Sequence, residues 1–106
     1  MSLFARMAPG AADQPGGKIG VHRFGAALRE LAGGGLTRQQ VIDAFALSVA
    51  EVAELDALIA TYQALPSNNV AAGLAKAAWL DRMEDVFLLV ETGDYPEAKA
   101  KSRLGF

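Results

Sequence analysis

The strongest constraint on what this chain can fold into is its punctuation. Past residue 20 it is cut by the glycines at 33–35, by Pro66 with "SNN" behind it, and by the "TGDYP" that begins at Thr92. Glycine accepts the left-handed backbone that closes a helix, and proline cannot continue one. Between these breaks the apolar residues recur at helical spacing. Val21, Phe24, Leu28 and Leu31 fall three or four apart and lie on one face of a first helix. Thr37 and Gln40 then form a capping box, which opens a short second helix whose apolar side is Val41, Ile42 and Phe45. Ser48 and Glu51 repeat the box for a third helix, striped by Val52, Leu55, Ile59 and Tyr62 and widened by Leu58 and Leu65.

A long fourth helix is expected from Val70 to Glu91. Its core face would run through Leu74, Trp79, Met83, Val86, Phe87 and Val90. The run "VFLLV" could pass for a strand in isolation, but it ends a 3.6-residue pattern and reads as helix. Asp94, Pro96 and Glu97 have the spacing of a helix start, so a short last helix should follow. The fold class expected is therefore all-α. It is a small bundle of about four helices, with a helix-turn-helix-like corner, an extended N-terminal arm and a short C-terminal helix. The divisions are residues 1–20 for the arm, 21–93 for the helical domain, and 94–106 for the last helix and tail.

Composition narrows the function. With 106 residues and 52% hydrophobic content the chain suits one small domain. It has no cysteine, so disulfides, thiol chemistry and cysteine-based zinc sites are excluded. A formal net charge of −2 gives no general attraction to nucleic acid or anionic lipid. No apolar run is long enough for a membrane span, and Arg6, Pro9 and Gly10 interrupt anything like a secretory leader. The expectation is a soluble, intracellular protein.

The corner from Leu36 to Ile59 raises the possibility of DNA reading. A recognition helix and its phosphate contacts need Arg, Lys, Asn or Gln. The candidate helix at 48–65 carries Glu51, Glu54 and Asp56 and neither Lys nor Arg. Direct nucleic-acid contact through it is not expected, and the corner reads as a packing unit. His22 stands alone, without companions for a metal site. Asp81, Glu84 and Asp85 share a helix face, with Arg82 among them, and read as a solvated or partner-facing acidic patch. "PGGK" at 15–18 lacks the first glycine and the trailing Ser/Thr of a phosphate loop. Neither a nucleophile motif nor a cofactor motif is present, so the chain reads as non-enzymatic, with no catalytic, cofactor or metal residues assigned.

The two ends carry large apolar residues beside basic ones. Leu3, Phe4 and Met7 lie near Arg6, and Leu104 and Phe106 near Arg103. These five apolar residues are the candidate partner-docking set, with Ile19 a further possible anchor. Ordering such an arm is costly in entropy, so the arm is expected to be held by a neighbouring subunit and to be dispensable for folding.

The segments "VHRFGAALRELAGGGLTRQQVIDAF", "ELDALIATYQALP" and "WLDRMEDVFLLVETGDY" together resemble small helical structural proteins of tailed bacteriophages, over roughly residues 21–95. The resemblance lies in texture and segment order, and it excludes the arm and tail. It implies a virion component of the head, neck, tail or baseplate, with other protein subunits in multiple copies as partners and host cytoplasm as its place before assembly. It transfers no catalytic residues. The alternative is a helix-turn-helix regulator, or a protein that binds one, using a basic surface that joins Arg23, Arg29 and Arg38. A small toxin-neutralising or anti-host protein is a third class.

Overall fold

The computed structural model describes residues 2–106. In chain order the helices are α1 (Leu3–Met7), α2 (Val21–Ala32), α3 (Arg38–Phe45), α4 (Val49–Ala64), α5 (Val70–Glu91) and α6 (Glu97–Arg103). A single 3-10 turn lies at Ala11–Asp13, and no strand occurs among the described residues. The class is the small all-α bundle that the periodicity requires.

Local chemistry sets the main boundaries. The Thr37 hydroxyl accepts from the Gln40 amide while Gln40 Oε1 accepts from the Thr37 amide. Ser48 and Glu51 make the same reciprocal pair at α4. Asn69 caps α5 by accepting from the Ala72 amide at 2.8 Å. Between α3 and α4 the chain turns at Ala46, the only non-glycine residue with positive φ among those described (φ 49°). The expected cap at Asp94 does not form. Its carboxylate instead accepts from the Thr92 hydroxyl, and α6 begins after Pro96 without a side-chain cap.

α5 is the axis, with α1, α2, α4 and α6 packed on it. α2 comes so near α5 that a Cβ added at Gly25 would strike the Glu84 carboxylate. The core is built around phenylalanine. Phe24 lies edge-on to Phe45 and to Phe87, and Phe87 in turn packs on Phe4 at 5.3 Å between centroids. Of the residues expected inside, Phe24, Leu28, Phe45, Leu55, Trp79, Met83 and Phe87 are buried, and Ile59 packs half-buried against them.

The N-terminal segment departs from expectation. It is not an extended arm, because residues 3–7 form a helix capped by Ser2, and Leu3, Phe4 and Met7 are fully buried. They occupy positions i, i+1 and i+4, one side of a helical turn. Burying each contributes about 1.5–3 kcal/mol. A boundary at residue 20 therefore separates nothing, since both sides share one core. The tail is likewise docked through Ala100 and Leu104, both buried. Leu74 departs in the other direction. Expected inside, it is 67% exposed, because five residues of helix turn it about 140° away from Trp79 and the buried side of α5.

Candidate functional site

The proposed docking residues can be placed first. Leu3, Phe4 and Met7 are interior, held there by α5 and α6, and Leu104 is buried as well. Phe106 is 41% exposed, and its ring stands perpendicular to Phe4 at 5.8 Å. The set therefore serves the protein's own core. The physical reason is that α1 and α6 lie side by side on α5, so each end covers the other's apolar residues.

Two of the three carboxylates of α4, Glu51 and Glu54, are likewise turned inward. Arg6 and Glu51 form a buried ion pair at 2.9 Å, each side chain only 1% exposed. The Arg6 guanidinium also donates to the carbonyls of Gly16, Gly17, Phe45 and Ala46. Gly16 is needed for this, since a Cβ there would lie 2.9 Å from the guanidinium carbon. Glu54 accepts from the Leu3 amide at 2.8 Å and from the Ser2 hydroxyl at 3.1 Å. Asp56 takes a two-pronged contact from Arg38 at 2.7 and 2.9 Å. These hydrogen bonds hold the Asp56 carboxyl below the usual carboxylate range. The α4 face left to solvent is Val49, Ala50, Ala53, Asp56, Ala60, Gln63 and Ala64, without a cation.

The cations proposed as a basic surface are also engaged. Arg29 bridges Asp81 at 2.8 Å and Glu84 at 3.2 Å, and its hydrogen bonds, chiefly to Asp81, hold its proton more tightly than usual. Arg23 lies over the Phe45 ring at 5.5 Å from its centroid. Two of the three residues of the expected acidic patch therefore serve as an α2–α5 clasp, and Asp85 alone stays apart. His22 is exposed, 3.8 Å from Glu84. No group of three or more His, Asp or Glu side chains spaced for a metal ion occurs among the described residues.

Val49, at the start of α4, is 90% exposed; the other surface features without an internal partner gather on and around α5. Val70 and Leu74 are 81% and 67% exposed. A cleft of about 440 Å³ opens between α2, α4 and α5 over Leu28, Leu31, Leu58, Tyr62 and Trp79. Lys76 sits at its mouth, 4.5 Å above the Tyr62 ring. A second groove of about 380 Å³ runs between α5 and α6, lined by Arg82, Asp85, Val86, Leu89, Tyr95, Arg103 and Leu104. Trp79 borders both. Such places, apolar with aromatic and arginine borders, have the composition of protein-contact sites. Sequence reasoning missed them because hydrophobicity alone groups Leu74 with the core face, whereas its spacing places it on the side of Ala78, Arg82 and Asp85. Arg6 went unread as an anchor because its acceptors come from three distant stretches of chain.

No helix among the described residues is long and apolar enough to cross a membrane. No protein family, curated protein or solved structure matches the chain.

Proposed function

We propose that this protein is a non-enzymatic structural subunit that docks onto other protein subunits and, within that class, a component of a tailed-phage virion. The observation that carries the subunit reading is the exposed apolar start of α5, where Val70 and Leu74 stand in solvent. Large side chains grouped this way mark contact surfaces more often than ordinary solvent-facing helix. The virion reading draws its support from the resemblance over residues 21–95, which implies host cytoplasm before assembly and the particle afterwards.

The regulator alternative draws less support. α4 offers no cation at its solvent face, and Arg29 and Arg38 are held by carboxylates.

The test is mass spectrometry of particles banded on a density gradient from lysate of the producing cells. The chain should co-band at a fixed ratio to the major particle proteins. Recovery only from the unsedimented fraction overturns the virion reading. Val70→Asp with Leu74→Asp should lower incorporation while leaving the melting temperature unchanged.

A further inference from the structure

α5 carries one side that the rest of the fold leaves open. Leu74 projects from it near the N-terminal end. Further along, Arg82 and Asp85 border the groove shared with α6, beside Leu89, Tyr95 and Leu104. Neither Arg82 nor Asp85 forms an ion pair among the described residues, although Arg6, Arg29 and Arg38 are all paired with carboxylates. An arginine and an aspartate three residues apart on one helix side match a copy of themselves related by a two-fold axis.

We propose that a second copy of this chain closes this face, with α5 antiparallel to α5 and the two-fold axis passing between Arg82 and Asp85. Arg82 then meets Asp85 of the second copy, and Asp85 meets Arg82 of the second copy, so both ion pairs form at once. The same register sets Ala78 against Leu89 of the second copy. It carries Leu74 toward the turn that follows the second copy's α5, where the groove of about 380 Å³ opens. The projecting side chain and the unfilled groove thus answer each other across the axis.

Charge selects this occupant. A nucleic-acid backbone or an acidic peptide drawn to Arg82 and Arg103 would be repelled by Asp85, which lines the same groove. A second copy turns Asp85 from an obstacle into a partner and leaves Arg103 at the solvent rim.

The pairing deepens and rests on the reading of the chain as an assembly subunit. Its test uses the purified full chain alone, so its outcome is separate from whether particles contain the protein. Sedimentation velocity from low micromolar to near-millimolar concentration should show a monomer–dimer equilibrium. Arg82→Asp and Asp85→Arg should each weaken the dimer by about tenfold or more, and the two together should restore it. Leu74→Ser should weaken it without any charge change. Circular dichroism melts should match the parent, because all three side chains are exposed. A chain that stays monomeric throughout overturns the proposal, as does a dimer indifferent to the single reversals or one that the combined swap does not rescue. A monomer that instead binds duplex DNA and loses that binding with Arg82→Asp overturns it in favour of phosphate recognition.

Discussion

Arg6 is the residue on which the N-terminal third of the protein depends. It is itself buried and spends its donors on one carboxylate and four backbone carbonyls. Glu51 Oε1 accepts from Arg6 and from its own capping partner Ser48, while Oε2 is buried without a hydrogen bond. Removing the cation alone strands a buried carboxylate. Arg6→Met should therefore cost about 3–5 kcal/mol, read from the urea midpoint. Adding Glu51→Leu should recover part of that loss, so the two changes should be strongly non-additive. Phe87→Ala removes the ring between Phe4 and Phe24 and should cost about 3–5 kcal/mol. A loss below about 1 kcal/mol would show that the cluster is not the centre of the core. Acid sensitivity belongs to this scale too. Asp56 is held below the usual carboxylate range by hydrogen bonds from Arg38, and Glu97 by Lys101. A depressed carboxyl pKa adds stability above the unfolded-chain value, and that stability is lost as pH falls through the folded value. Melting temperature should accordingly drop below about pH 4, and Asp56→Asn should flatten part of that decline.

Elements obey their caps, and one junction obeys something else. α3 and α4 open with complete capping boxes, so their starts are set within four residues of chain. The turn between them places Ala46 in the left-handed region, at φ 49° and ψ 53°, where a Cβ is unfavourable. Ala46 is exposed, so its methyl group contributes little packing. Ala46→Gly should therefore stabilise the protein by roughly 1 kcal/mol, measured as a higher urea midpoint with an unchanged slope. A decrease would mean that unfolded-state entropy outweighs the relieved strain. α1 is the opposite case. A helix of five residues has no stability of its own. It exists because Glu54 takes its first amide, Arg6 ties its end to the corner, and α5 covers its apolar side.

For the whole molecule, the radius of gyration of 13.4 Å is that of one compact unit of this length. Its ends close the core. Deleting residues 2–18 removes Leu3, Phe4 and Met7 from the core and leaves Glu51 buried without its cation. Each of those losses is worth several kcal/mol, against a total stability of about 5–15 kcal/mol for such a domain. The truncated chain should lose its cooperative thermal transition and its near-ultraviolet circular dichroism. A sharp melt near that of the parent would return the segment to the status of a dispensable arm. The sequence alone suggested such an arm, and the packing of α1 argues against it.

The sequence by itself determined the helical class, the spans of the four central helices and the identity of most of the core. Periodicity and capping act over three or four residues, so they are written locally: Thr37 with Gln40, Ser48 with Glu51, Phe24 with Leu28. The tertiary structure alone decided the fate of both ends and of the charges. Arg6 meets Glu51 across 45 residues, and Leu3 meets Glu54 across 51. Neither separation leaves a periodic trace, and glycines and prolines after α1 disguise it as loop. Leu74 shows the converse limit. Its spacing groups it with Ala78, Arg82 and Asp85 rather than with Trp79, Met83 and Phe87, and which side of α5 the fold covers depends on how the other helices are laid against it. Burial is a property of that arrangement, and spacing along one helix reports only which residues would share it.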